Sequence, residues 1–362
     1  MSHSVHVITH FVSPYQVELF NAVSAHPEVE LFVSYLYDEW KGRHWKGISV
    51  EHPHCVLKDE FTHRNARQRV TDSDVVVFNT YRDRFPHRMI KLRAHHRSPW
   101  AFWGERPAFR WKGPVGTMYR RWRLAPLVRS RAPIWGIGTW ATAKYRVDFG
   151  ERRNYAELPY YSNLERFRRS DGQDELSGPR RFLFSGALTV RKGADLLADA
   201  FLQLVEEGQD VALTLVGTGD LDSTLRRKLH GLGDRVRFAG FQDWQTLPSW
   251  YHQAHVLVAP SRYDGWGLIV PEGLAAGLPV IGTDHMGAAI DLIEPGRNGW
   301  ICRAGDLDSL SESLRRAALL TPEQLCEHRY AAEASVAEHQ LTHGAARFIT
   351  LCEQVIEHWH DN

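Results

Sequence analysis

Cysteine is scarce: four residues in 362, Cys55, Cys302, Cys326 and Cys352, with no CxxC pair and no metal-ligand spacing among them. That pattern argues against a disulfide framework and a cysteine-held metal, and a reducing compartment is expected. Long hydrophobic runs are missing too, since no apolar stretch approaches the roughly 18 residues a membrane span needs. With no secretory leader before Val5, a cytoplasmic protein is expected. Repeats and low-complexity tracts are also lacking. Net charge is nearly absent at +1, but the balance hides an asymmetry. Residues 1–160 hold 25 Lys/Arg against 15 Asp/Glu, and the remainder holds 19 against 28. The length suits two α/β domains, one basic and one acidic.

The most informative stretch is 260–279, PSRYDGWGLIVPEGLAAGLP. Before it, residues 255–259 (HVLVA) have the length and β-branched content of a buried parallel strand that stops at Pro260. The loop that follows carries Asp264, Gly265 and Gly267. Residues 268–276 read as a packed helix with Pro271 in the first turn, where no amide hydrogen bond is needed. The opening amides of a helix lack intrahelical partners and carry partial positive charge, so this corner suits phosphate. Asp264 and Glu272 flank it with acceptors for sugar hydroxyls, and both features at a strand's carboxyl end point to a sugar nucleotide.

This segment resembles the signature of retaining family-4 glycosyltransferases of the GT-B fold, P-S-x-x-E-x-F-G-x-x-x-x-E-A-x-A-x-G-x-P-V. Pro260, Ser261, Gly267, Glu272, Ala275, Gly277, Pro279 and Val280 match, while Asp264 replaces the first glutamate and Gly273 an alanine. Upstream, residues 182–184 read as a strand running into a loop that ends Arg191-Lys192-Gly193. The family's loop there is G-R-L followed by K-G; Gly186, Leu188, Lys192 and Gly193 match, and Ala187 replaces the arginine. The resemblance therefore assigns the donor diphosphate to Lys192, helped by Arg191, and to the amides near Leu268 and Ile269. It assigns the ribose to Glu272 and the sugar hydroxyls to Asp264. The strand at 211–216 ends in Gly217-Thr218-Gly219, like the family's V-G-x-G turn, where Gly217 would admit the nucleotide. Further strands are expected at 235–240, 280–282 and 299–302, and helices at 195–205, 307–320 and 345–358.

In the first half, strands are expected at 5–8, 31–36, 75–78, 100–103 and 134–137, alternating with helices as in a doubly wound parallel sheet. The turn His10-Phe11-Val12-Ser13-Pro14-Tyr15 resembles the acceptor-side loop of one branch of the family. His10 and Tyr15 would then line the acceptor site, with a plain structural role as the alternative for each. Glu105 ends a strand and is a candidate contact for the transferred sugar or acceptor, or else a salt-bridge partner of Arg106. The Asp72-Ser73-Asp74 triplet precedes a strand, whereas a D-x-D metal motif follows one, and it reads as a polar strand entry. A G-x-G-x-x-A run at 136–141 closes the domain instead of opening it, so a tight turn explains it better than a dinucleotide site.

Residues 82–131 are dense in Arg84, Arg88, Lys91, Arg93, Arg97, Arg110, Lys112, Arg120, Arg121 and Arg123, interleaved with Trp111, Tyr119 and Trp122. Only Asp83 and Glu105 oppose them. A solvated face, a nucleic-acid surface and an anionic membrane surface compete; no nucleic-acid motif supports the second.

The resemblance implies two Rossmann-like, doubly wound domains facing across a cleft. Residues 1–160 would take the acceptor, 161–180 form a polar linker, 181–344 bind the donor, and 345–362 cross back to the first domain. It further implies a cytoplasmic, metal-independent, retaining enzyme without cofactor, peripheral on the membrane's inner face if the basic region binds lipid. Such an enzyme moves a sugar from a nucleoside-diphosphate sugar to a glycan or lipid-linked acceptor in bacterial polysaccharide or glycoconjugate synthesis. A nonhydrolysing sugar-nucleotide epimerase and a sugar-nucleotide-binding protein without turnover are the alternatives.

Overall fold

The computed structural model describes residues 2–38, 49–107, 113–169 and 178–360. The chain forms two compact units, residues 1–163 with 340–362, and residues 164–339. The stretch 161–180 is thus divided after Asn163, and residues 170–177 lie outside those described. Arg169 donates to the carbonyls of Ala276, Tyr251 and Ala254 at 3.0, 3.2 and 2.8 Å, tying the residues after Asn163 to the second unit.

The first unit is built on seven parallel strands: β1 (His3–Phe11), β2 (Val29–Tyr37), β3 (His54–Val56), β4 (Val75–Phe78), β5 (Trp100–Gly104), β6 (Ile134–Gly136) and β7 (Tyr155–Glu157). Their order is β3-β2-β1-β4-β5-β6-β7. In register, Val5 faces Leu31 on one side and Val75 on the other. All four residues of β4 are buried, which is why that strand is apolar without alternation. The two short strands β3 and β7 were not expected; each has three half-buried or exposed residues with no hydrophobic pattern.

The last helix, Leu341–His360, belongs to this unit. Its Phe348 is fully buried, with ring centroids 6.3 Å from Phe20, 6.3 Å from Trp103 and 6.0 Å from Trp135. Asp74 Oδ2 accepts from the Ser4 amide and hydroxyl, both at 2.8 Å, so the acidic triplet does serve the strand entry. Gly136 lies where a Cβ would sit 2.2 Å from Thr142 Oγ1, which accounts for that glycine by close strand–helix packing.

Two residues of the basic region, Arg93 and Arg120, are buried and cannot contribute to a solvated, nucleic-acid or membrane surface. Arg93 donates to the carbonyls of Val70, Thr71, Ser73, Asp74 and Pro99, closing the end of the helix Glu60–Asp72. Arg120 pairs with buried Asp148, which Lys144 and Thr117 also contact. Arg110, Trp111 and Lys112 lie outside the described residues. Among the described residues, no helix is long and apolar enough to cross a membrane.

The second unit carries β8 (Arg180–Ser185), β9 (Val211–Val216), β10 (Val236–Gly240), β11 (Val256–Val258), β12 (Val280–Thr283) and β13 (Gly299–Cys302), all parallel, in the order β10-β9-β8-β11-β12-β13. The helix Ala194–Glu206 buries Leu197, Ala200, Phe201 and Leu204 at helical spacing against this sheet. Another helix, Pro322–Ser335, was not expected; its apolar pattern is weak, but Thr321 and Gln324 form a reciprocal capping box at its start.

Candidate functional site

In the second unit the strand order reverses between β8 and β11, the place at whose strand carboxyl ends open α/β sheets build ligand sites. Two glycines bring the loop backbones together there. Gly193 has φ +74° and caps the helix Ala194–Glu206; a Cβ on it would lie 2.0 Å from the Pro260 carbonyl oxygen. Gly217, at φ +128° after β9, would place a Cβ 1.9 Å from the Gly186 oxygen. Any side chain at either site would separate the loops.

With the loops in contact, Lys192 Nζ donates to Asp264 Oδ2, each side chain 16% exposed. Lys192, Asp264, Gly186 and Gly217 are therefore gathered at the carboxyl ends of β8, β9 and β11. Two further ties lace the loops. Arg262 makes a bidentate pair with Asp195 at 2.7 and 2.8 Å, and Arg191 Nη1 donates to the Tyr263 carbonyl at 3.1 Å. The Asp264 amide donates to the His285 carbonyl at 3.0 Å, which seats the carboxylate-bearing residue against the end of β12.

Leu268 and Ile269 open the short helix Ile269–Ala275, whose first turn holds Glu272. Gly267, just before it, packs on Met286, where a Cβ would lie 2.9 Å from Cγ. Glu272 Oε2 accepts a 3.0 Å hydrogen bond from the Tyr251 hydroxyl. Burial, followed by the Glu272 charge, pushes the Tyr251 pKa well above the ordinary phenol value, so it remains a donor; it also hydrogen-bonds Ser185 at the end of β8. The sequence reading missed Tyr251, Arg262 and Asp195. Tyr251 sits in the helix Leu247–His252, where an aromatic reads as ordinary core. The arginine–aspartate pair spans 67 residues and has no local signature.

In the first unit, His10 lies near the end of β1, with Nε2 3.4 Å from Asp83 Oδ2, and the Tyr37 hydroxyl donates to Asp83 Oδ1 at 3.0 Å. Burial lowers the His10 pKa, opposed by Asp83 and assisted by Arg82. The Tyr15 ring packs 4.8 Å from that of Tyr160. Glu105 is exposed, its carbonyl accepts from the Tyr145 hydroxyl at 2.7 Å, and its side chain hydrogen-bonds Tyr160. Arg106 lies over the Trp140 ring at 4.0 Å. Buried Thr9 and Gln16 and half-buried Asn79 form a network of 3.0–3.1 Å hydrogen bonds that no motif announced. An open cavity of about 1260 Å³ at the β7 edge, lined in part by Arg152, Tyr155 and His358, includes none of these residues. Among the described residues, no group of three or more His, Cys, Asp or Glu is placed to hold a metal ion.

Residues 179–319 match the family model described as glycosyl transferases group 1. The GDP-mannose-dependent monoacylated alpha-(1-6)-phosphatidylinositol monomannoside mannosyltransferase of Corynebacterium glutamicum is 28% identical over 208 residues, 51% of this chain and 54% of that protein. The lipopolysaccharide core biosynthesis mannosyltransferase of Rhizobium meliloti is 33% identical over 137 residues, 35% of this chain and 38% of that protein. The chain thus spans about a third to a half of the length of the curated relatives it matches.

Solved structures extend the likeness in fold to both units. Anabaena HepE in complex with UDP superposes with a TM-score of 0.78 at 15% identity, covering 98% of this chain and 100% of that one. Sucrose-phosphate synthase from Thermosynechococcus elongatus gives 0.72 at 18%, covering 98% and 99%. The fold is therefore GT-B, with two Rossmann-like doubly wound domains, and residues 179–319 resemble the glycosyl transferases group 1 family.

Proposed function

We propose that the protein is a retaining, metal-independent glycosyltransferase, which moves a sugar from a nucleoside-diphosphate sugar to a hydroxyl of a glycan or lipid-linked glycan. The observation that carries this reading is the gathering of Lys192, Asp264 and the opening of the Glu272 helix at the β8/β11 strand ends. Lys192, helped by Arg191 and the amides of Leu268 and Ile269, holds the diphosphate. Glu272, aimed by Tyr251, takes the ribose, and Asp264 takes the sugar hydroxyls. Lys192 is paired with Asp264, so the charges that would meet the donor's phosphate and hydroxyls are already in place. As the glycosidic bond to phosphate breaks, Lys192 stabilises the departing diphosphate. That phosphate accepts the acceptor's hydroxyl proton on the face where the new bond forms. The first unit takes the acceptor, with His10, Tyr15 and Glu105 as contacts. No cofactor enters this scheme.

Incubation with a panel of nucleotide sugars and hydroxyl acceptors tests the reading. Released nucleoside diphosphate with a glycosylated product supports it; an epimerised donor, or binding without release, replaces it. Activity should persist in excess EDTA, since the phosphate charge is met by Lys192 and backbone amides. Full, reversible loss in chelator would overturn the metal-independent part alone.

A further inference from the structure

The helix Gly113–Arg123 is inside out. Val115, Met118, Tyr119 and Trp122 recur at helical spacing on one face and are 54%, 67%, 44% and 68% exposed. The opposite face, with Gly116, Thr117 and Arg120, turns inward, and Thr117 and Arg120 both hydrogen-bond buried Asp148. A helix that buries an arginine and shows water a methionine, a tyrosine and a tryptophan is ordered the wrong way round for a solvated surface. The next helix, Ala125–Arg129, continues the pattern with exposed Val128 at 43%.

Exposed positive charge surrounds this apolar face. Arg121 and Arg129 flank it on the same two helices, and Arg84, Arg88 and Lys91 are exposed on the helix Arg84–His95 that packs beside Ala125–Arg129. Across residues 82–131 the only acidic side chains are Asp83, engaged by Tyr37, and Glu105. A second copy of this chain would bring like charges together. A partner that is apolar a few ångströms down and negative at its surface meets both properties, and tryptophan and tyrosine suit that boundary.

We propose that the helix Gly113–Arg123 is a docking surface for an anionic lipid bilayer, with Met118 and Trp122 entering the headgroup–acyl boundary and Arg121 and Arg129 held to anionic headgroups. The assignment goes beyond glycosyl transfer and does not rest on it, because lipid binding needs no sugar donor.

The test is co-sedimentation of the whole protein with phosphatidylglycerol–phosphatidylcholine vesicles and with phosphatidylcholine vesicles alone. Expected is binding to the first, weakened by added salt and much weaker on the second. Met118→Ser with Trp122→Ser should abolish it. Arg121→Glu with Arg129→Glu should lower affinity by roughly 30-fold or more, given about 1 kcal/mol per basic residue at such a surface. Phe61→Ser, which removes an aromatic 69% exposed elsewhere in the same unit, should bind as wild type. All of these positions are exposed, and thermal melting of each variant confirms its folding. Wild-type protein left in the supernatant at low salt overturns the proposal, as does equal binding by the folded Met118/Trp122 variant. Gel filtration showing a dimer that this variant dissociates assigns the face to a second copy instead.

Discussion

The two units arrange their strands alike around the point where the order reverses, β1 beside β4 in one and β8 beside β11 in the other, yet they fill that point with different material. In the second unit the corner is lined by backbone. Gly193 and Gly217 let loops touch, and the charged side chains stand at the rim. In the first unit the equivalent corner after β1 is filled by the buried side chains of Thr9, Ser13 and Gln16, bonded to one another and to Asn79. A backbone-lined corner presents amides to an anion; a corner filled with side chains fixes the loop and leaves recognition to its rim. The charge contrast runs the same way, with the basic unit keeping some of its arginines as internal struts.

Four substitutions would break or sharpen this contrast, and the largest fall in the first unit. Phe348→Ala removes a fully buried ring among Phe20, Trp103 and Trp135 and should cost about 3–5 kcal/mol. Denaturation followed with and without nucleoside diphosphate should show the loss in the first unit, with the ligand-stabilised second unit unmoved.

Asp148→Asn should follow at about 3 kcal/mol, because Arg120 and Lys144 lose their counter-charge in a buried site. Burial alone would raise the Asp148 pKa, but hydrogen bonds from Arg120, Lys144 and Thr117 outweigh it and hold the group below the usual carboxylate value. A depressed folded-state pKa means stability present at neutral pH that is lost as pH falls below about 4. Wild-type protein should lose this increment on acidification, and the Asp148→Asn variant should show a flatter acid limb; identical limbs would remove the ion pair from the account.

In the second unit the effects should appear in binding. Glu272→Ala should weaken nucleoside-diphosphate affinity by about 1.5–3 kcal/mol, the loss of a charged hydrogen-bond acceptor, with no change in melting. Unchanged calorimetric affinity in the folded variant would remove the ribose role. Tyr251→Phe should cost about 0.5–1.5 kcal/mol of the same affinity, since Glu272 keeps its charge and loses only the hydroxyl that aims it. If this variant is worse than Glu272→Ala, the tyrosine serves the core and not the carboxylate.

What could be read from the sequence follows the same division. The loop contacts of the second unit's candidate site were legible because close backbone approach demands glycine at set positions, and Gly186, Gly193, Gly217 and Gly267 punctuate the motifs. All six of its strands were foreseen, from apolar runs bounded by glycine and proline. Tyr251 and the Arg262–Asp195 pair were not, since each contact joins segments far apart in sequence and uses residue types common elsewhere. In the first unit β3 and β7 escaped because edge strands of three residues carry no period. The burial of Arg93 and Arg120 escaped for a related reason: an arginine stacked under carbonyls or a carboxylate looks, in sequence, like one in water.

The placement of Phe348 has a consequence for biosynthesis. The first unit's core is completed by the helix Leu341–His360, which leaves the ribosome only after all of Leu164–His339. At about 5–20 residues per second that interval is on the order of ten to thirty-five seconds. Throughout it Phe20, Trp103 and Trp135 lack the ring that packs among them, and the second unit has all its residues before the first does. The part of the protein made first is therefore finished last, because its core waits for a helix that follows the whole of the second unit.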